Sequence, residues 1–271
     1  MPELPEVETT RRGIAPHLTG ACVNRVIIRQ PRLRWPIPDD LPKLLKGQKI
    51  LDVSRRGKYL LIQFRHGVLL LHLGMSGSLR ILASDTSPQK HDHFEIRLNG
   101  GRSLRLRDPR RFGAVLWAGE RPQLHPLLES LGPEPLSSSF SGAYLHRQGR
   151  GRRTAVKNMI MDSRVVVGVG NIYASEALFR AGIHPKRACN RISVTRYEAL
   201  VDAIRTILSA AIEQGGTTLR DFQQEDGKPG YFAQELKVYG RSGEPCPACG
   251  DNICSLVIGQ RNSFYCPQCQ H

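Results

Sequence analysis

The chain has 271 residues, 40% hydrophobic and 23% charged, enough for one large or two smaller folded domains. No apolar run approaches the roughly 18 residues of a membrane helix, and MPELPEVETT with its three glutamates is unlike a secretory signal, so a cytosolic protein is expected. Lys and Arg number 39 against 24 acidic residues, a net charge of +15 that points to a polyanionic partner.

That excess is spread: residues 1–132 carry 22 basic and 12 acidic side chains, and residues 133–271 carry 17 and 12. This suits a cleft lined from both sides better than an appended basic tail. Seven cysteines in a cytosolic chain are not read as disulfides. Cys22, Cys189 and Cys254 stand apart and are expected to be ordinary thiols.

In chain order, the first element is a helix with Pro5 at its first position and Val7, Ile14 and Leu18 on one face. Strands are then predicted at Val23–Arg29, Lys58–Phe64, Val68–Leu73, Phe94–Leu98 and Ser103–Arg107. Asn99-Gly100-Gly101 marks a tight hairpin between the last two. Short strands joined by turns imply an antiparallel sandwich or barrel. Leu131–Leu136 and Ser137–Ser139 read as a linker.

Beyond the linker the pattern is helical. Two short helices are expected to flank Val165–Asn171. A longer one is expected to start from a Thr195/Glu198 capping box, continue through Leu200, Val201, Ile204, Leu208, Ala211 and Ile212, and end at Gly215-Gly216. From about Glu235 the chain is a small cysteine-rich module. The predicted organisation is α+β: an antiparallel β domain, sandwich or barrel, with an N-terminal helix over 1–132, a helical domain over 133–234 and a finger over 235–271.

Cys246-Pro-Ala-Cys249 and Cys266-Pro-Gln-Cys269 are separated by sixteen residues, a spacing that can hold four thiolates around one zinc ion. The alternative, a redox pair, lacks a thioredoxin-like context. With all four positions taken by sulfur the metal is structural, and so small a module depends on it for folding. Leu256–Ile258 and Ser263–Tyr265 read as a hairpin with Arg261 near its tip, suited to phosphate or groove contact.

Gly168-Val-Gly170-Asn171 before a helix offers free N–H groups for a phosphate, or is simply a connection between helices. The run Arg147-Gln-Gly-Arg150-Gly-Arg152-Arg153 upstream favours the first reading but also fits a solvated face. Asp108-Pro-Arg110-Arg111-Phe112-Gly113 is either a wedge for a base stack or a β-turn with a packed phenylalanine. Met75, in His72-Leu-Gly-Met75-Ser-Gly77, is either core or an exposed filler. Removal of Met1 would leave Pro2 as a secondary amine able to attack a carbonyl-like carbon, with Glu3 beside it for proton transfer; most N-terminal prolines do nothing.

Taken together and in order, Pro2-Glu3-Leu4-Pro5-Glu6-Val7-Glu8-Thr9, Gly57-Lys58-Tyr59, His72–Gly77, Asp108–Gly113, the Gly168–Asn171 segment, Asp226-Gly-Lys-Pro-Gly-Tyr231 and the four-cysteine finger closely resemble the formamidopyrimidine-DNA glycosylases. The resemblance runs nearly end to end; Gly57, where relatives often carry alanine, is a minor departure. It implies a β-sandwich, a helix–two-turn–helix domain and a zinc finger acting on damaged double-stranded DNA, in a monomer without membrane association. It implies that Pro2 is the nucleophile at C1′, that Glu3 handles protons and that Lys58 contacts phosphate and assists excision. His72, Lys157, Asn171, Tyr239 and Arg261 would contact DNA. Met75, Arg110 and Phe112 would fill the vacated stack, and Thr217–Tyr231 would close over the extruded base. The implied reaction is excision of oxidised purines followed by β,δ-elimination. Three rivals remain: an endonuclease VIII-like enzyme for oxidised pyrimidines, a non-catalytic zinc-finger DNA-binding protein and, more distantly, a zinc-ribbon RNA-binding protein, which lacks a repeated aromatic stacking platform.

Overall fold

The computed structural model describes residues 2–218 and 236–271. They fall into two units, one built on Met1–Glu129 with the described residues from Ile212 to Thr218, and the other on Ser130–Ala211 with residues 236–271.

In the first unit the elements are α1 (Leu4–Leu18), β1 (Val23–Ile28), α2 (Leu41–Leu45), β2 (Asp52–Arg56), β3 (Tyr59–Phe64), β4 (Gly67–His72), β5 (Ser78–Ala83), β6 (Asp92–Leu98), β7 (Arg102–Arg107), β8 (Ala114–Trp117) and α3 (Pro126–Glu129). Alternation makes the sheets: Leu60, Ile62 and Phe64 of β3 are buried while the residues between them are half-exposed. Two antiparallel sheets form, in the orders β1-β6-β7-β5 and β2-β3-β4-β8. Residues of both join Val7, Ile14 and Leu18 of α1 in one core, so the predicted sandwich and its flanking helix are present.

Gly100 and Gly101, at φ +91° and +77°, turn β6 into β7 as expected. Lys58 departs from the expectation. It lies in the turn between β2 and β3, because Gly57 at φ +57° reverses the chain there. Elements α2, α3, β2, β5 and β8 were not predicted; β2 is mostly polar or charged, and the strand state of β2 and β5 comes from pairing with β3 and β7.

The second unit contains α4 (Gly142–Gly149), α5 (Val156–Met161), α6 (Asn171–Arg180), α7 (Val194–Thr218) as far as Ala211, β9 (Cys254–Ile258) and β10 (Arg261–Tyr265). As predicted, α5 and α6 flank the Val165–Gly170 turn. Helix α7 starts two residues before the expected capping box: the Arg196 N–H donates to Ser193 Oγ at 3.4 Å, so Ser193 is the cap and Thr195 is already helical. Nor does Gly215-Gly216 end it, since the helix reaches Thr218. Leu200, Val201, Ile204, Leu208 and Ala211 line its buried face.

The finger docks on the helices through its C-terminus. The His271 N–H donates to Gly182 O at 3.1 Å, His184 N–H to His271 O at 3.1 Å, and Gln270 Nε2 to Ile183 O at 2.9 Å. Among the described residues no helix is long and apolar enough to cross a membrane.

Candidate functional site

Chemistry in the first unit begins where α1 begins. Pro2 is half-buried, and Glu3, 2% exposed, is the N-cap of the helix. The Glu3 N–H donates to Glu6 Oε2 at 2.8 Å and the Glu3 carboxylate accepts from the Glu6 N–H, a reciprocal capping box. This box fixes the backbone immediately after Pro2. A carboxylate at this helix end is also favoured by the helix dipole.

Glu8, one turn further on, ties this helix to the Lys58 turn. It accepts from Arg11, Arg12 and Arg55, and Arg55 Nη1 donates to Gly57 O at 2.8 Å. Burial favours the neutral carboxyl, but the hydrogen bonds from Arg11, Arg12 and Arg55 more than offset it and hold the pKa at about 2. Glu8 and Arg55 were missed by the sequence reading, because a helix acid and a strand arginine 47 residues apart carry no local signal.

His72 closes β4 opposite Tyr59, their rings 4.8 Å apart. Burial, with the positive charges of Lys58 and Arg34, lowers its pKa to about 4 against the weaker pull of Asp108. Its Nδ1 accepts from the Gly74 N–H at 3.0 Å, so the neutral ring carries its proton on Nε2. The Met75 loop follows. Met75 and Phe112 are exposed at 38% and 43%, unusual for apolar side chains of their size, and the Arg110 guanidinium lies 4.9 Å from the Phe112 ring centroid. The two loops touch through backbone: a Cβ on Gly74 would meet Phe112 C at 2.4 Å.

In the second unit Lys157, fully buried on α5, donates to Asn171 Oδ1 at 2.5 Å, Ser263 Oγ at 2.6 Å and Asn262 O at 3.4 Å. It thereby joins α5, the start of α6 and β10. Asn171 is the first residue of α6, with Gly170 as N-cap, so its side chain is free of the capping position and bridges instead. Its Nδ2 donates to Asn262 O at 3.0 Å and to Tyr239 Oη at 3.4 Å. Arg261 is exposed beside the Gly259-Gln260 turn of the hairpin, next to the two residues that hold Lys157. Glu176, also missed, is a lone carboxylate on the apolar α6. It accepts from the N–H groups of Lys237, Val238 and Tyr239 at 2.9, 2.9 and 2.8 Å, orienting Tyr239.

The four predicted cysteines converge, their sulfurs all within 4.8 Å of one another. Two of the separations are 3.9 Å (Cys246–Cys269) and 3.5 Å (Cys249–Cys266). A tetrahedral ion with bonds of about 2.3 Å to sulfur requires roughly 3.8 Å between sulfurs, so the donor set fits a metal. The Ala248 and Cys269 N–H groups, each 3.4 Å from the sulfurs of Cys246 and Cys266, would support thiolate charge. Cys22 and Cys254 are half-buried and Cys189 is buried.

Three family models cover most of the chain: the formamidopyrimidine-DNA glycosylase N-terminal domain over residues 1–115, the formamidopyrimidine-DNA glycosylase H2TH domain over 131–223, and a zinc finger found in FPG and IleRS over 243–271. The formamidopyrimidine-DNA glycosylase of Methylococcus capsulatus is 60% identical over 270 residues, and that of Syntrophotalea carbinolica is 61% identical over 270, each alignment covering 100% of both chains. The chain belongs to the formamidopyrimidine-DNA glycosylase family.

Solved structures of this family agree. A Lactococcus lactis family member, in a single-site variant bound to DNA containing Fapy-dG, superposes with a TM-score of 0.90 at 33% identity, covering 100% of both chains. Another complex of the same glycosylase with Fapy-dG DNA gives 0.89 at 32% identity, covering 99% of this chain and 100% of that one. The chain is therefore a DNA repair glycosylase by family, with a DNA-binding fold and a zinc-finger module.

Proposed function

We propose that the chain excises oxidised purines, formamidopyrimidines and 8-oxoguanine opposite cytosine, from double-stranded DNA through an imine on Pro2, then cleaves the strand by β,δ-elimination. The observation that carries this reading is the start of α1, where a half-buried Pro2 directly precedes a buried carboxylate whose backbone is locked by a capping box.

Once Met1 is removed, Pro2 is a secondary amine with an ordinary pKa of about 7.7–8.0, so a useful fraction is neutral near pH 7. Its lone pair attacks C1′ of the extruded nucleotide and the base departs with the C1′–N bond electrons. Opening of the sugar, with Glu3 passing a proton at the ring oxygen, gives an iminium. The iminium acidifies C2′–H. Loss of that proton expels the 3′ phosphate, and a second elimination expels the 5′ phosphate. The iminium takes up the electrons, so no external cofactor is required.

Lys58 approaches a phosphate near the lesion, and neutral His72 donates from Nε2 to another. Met75, Arg110 and Phe112 enter the vacated stack, Arg110 facing the orphaned cytosine. Asn171, Tyr239 and Arg261 grip the backbone, with the buried charge of Lys157 acting through Asn171. Cys246, Cys249, Cys266 and Cys269 hold one zinc ion, which stabilises the finger and has no open position for water. Thr217–Tyr231, expected to cover the extruded base, falls outside the described residues from 219 onward. A monomer is sufficient for every step.

A Lactococcus lactis relative has also been solved with DNA containing an oxidised pyrimidine, which makes such lesions the second substrate class to test. The decisive experiment is borohydride trapping on a duplex carrying 8-oxoguanine opposite cytosine, with peptide mapping of the adduct. A cross-link at Pro2, absent from Pro2→Gly, is the expected result. No cross-link from folded, metal-loaded protein with a free Pro2 would overturn the assignment for purine lesions.

A further inference from the structure

Asp108 is fully buried at the end of β7, and every polar atom it has is engaged. Its Oδ1 accepts from Ser76 Oγ at 2.8 Å and its Oδ2 from the Gly113 N–H at 2.7 Å. Ser76 Oγ in turn accepts from the Arg110 N–H at 3.2 Å. The main chain of Asp108 is anchored as well: its N–H donates to His91 O at 3.1 Å, and its carbonyl lies 3.0 Å from His93 Nε2 and accepts from the Arg111 N–H at 3.1 Å.

These contacts span two loops. Ser76 follows Met75 directly, while Arg110 and Gly113 bracket Phe112. One carboxylate therefore joins the loop carrying Met75 to the loop carrying Arg110 and Phe112. The glycines show how close the join is: a Cβ on Gly113 would sit 2.7 Å from His72 O and 3.0 Å from Asp108 Oδ2. Arg111 adopts φ +56°, a left-handed conformation that is unfavourable for a non-glycine residue and needs support from its surroundings.

From this geometry we infer that Asp108 is the positioning residue that makes Met75, Arg110 and Phe112 a single rigid insert, and that through Arg110 it sets discrimination of the base opposite the lesion. The inference rests on the stack-filling role proposed above for those three side chains. Asp108 itself is fully buried, so it would act on DNA only through the loops it joins. Met75 and Phe112 lie outside the buried core, at 38% and 43% exposure, so their orientation depends largely on the loop backbone beneath them. Charge-assisted bonds at 2.7 and 2.8 Å to two different loops supply that rigidity.

The test compares Asp108→Ala and Asp108→Asn in the full-length, metal-loaded protein. Asparagine can accept from Gly113 N–H through Oδ1 and donate from Nδ2 to Ser76 Oγ, with the serine hydroxyl reversing its role, so it preserves the join. Alanine cannot. Three readouts are needed: excision of 8-oxoguanine opposite cytosine and opposite adenine, strand cleavage at a preformed abasic site, and thermal unfolding. Alanine is expected to slow excision opposite cytosine about tenfold or more, the scale of losing two such bonds, and to bring the cytosine-to-adenine ratio towards one. Cleavage at the abasic site, where no base has to be displaced, should change far less, and Asp108→Asn should stay near wild type.

An unchanged cytosine-to-adenine ratio in folded Asp108→Ala would overturn the inference. So would an equal fall in excision and abasic-site cleavage, which would mark a general structural defect. If the wild-type protein itself neither excises nor cleaves, the proposed function fails instead, and the two failures are told apart by that control.

Discussion

His72 keeps one proton across the physiological range because burial and the charges of Lys58 and Arg34 hold its pKa at about 4. With Nδ1 accepting from the Gly74 N–H, the neutral ring has one hydrogen bond to donate, from Nε2, the role proposed for it towards a phosphate. The same shift has a consequence for stability. The unfolded ring titrates near 6.5, so the folded state binds fewer protons between about pH 4 and 6.5. The contribution of His72 is complete above pH 6.5 and is lost as the pH falls towards 4. Urea unfolding at pH 7.5 and pH 5 should show the wild type losing about 1–2 kcal/mol more than His72→Gln over that interval. Equal losses would show that the ring is not held neutral.

The finger is the element that cannot stand alone. Its cluster consists of Val238, Cys246, Ile253, Phe264 and Cys266 with a few partly buried neighbours, far less than the helical core beside it. A metal at the four sulfurs must supply the difference. Chelation, or Cys249→Ala, should therefore melt β9 and β10 while α4–α7 keep their helical circular dichroism, because those helices rest on their own core. Duplex affinity should drop at the same time, since Arg261 lies on the hairpin and Tyr239 packs on Phe264 of β10. Retained affinity after complete metal removal would separate the finger from DNA binding. The caps of α1 and α7 show a related point at smaller scale: a helix starts where a side chain reaches an orphan N–H, and Ser193 reaches one that Thr195 does not.

For the whole molecule the governing quantity is the net charge of +15. Binding to a duplex should release counterions in proportion to the phosphates contacted. With about four to eight such contacts, the slope of log K against log salt should be roughly −4 to −7. Arg261→Ala should make that slope shallower by about one and weaken undamaged and damaged duplexes alike, as expected of a phosphate contact. A slope that does not change on removing Arg261 would place this side chain away from the backbone.

The sequence by itself determined the pieces whose physics is local. Alternating strands such as Tyr59–Phe64, the Asn99–Gly101 turn, the apolar stripe of α7 and the paired C-x-x-C knuckles are each written within a few tens of neighbouring residues. The four cysteines and Arg261 were named there on spacing, whereas Pro2, Asn171 and the other site residues took their roles from the resemblance, since no local rule sets them apart. Tertiary structure decided what those residues touch. Lys157 was named as a DNA contact on the resemblance, but nothing in the sequence signals that it is fully buried, with acceptors from α6 and β10, up to 106 residues away, around its Nζ. Glu8, Asp108 and Glu176 were silent in the sequence for the same reason. A buried carboxylate is stable only with its donors, and those donors come from Arg55, Ser76 and the Lys237–Tyr239 amides, which only the fold brings within reach.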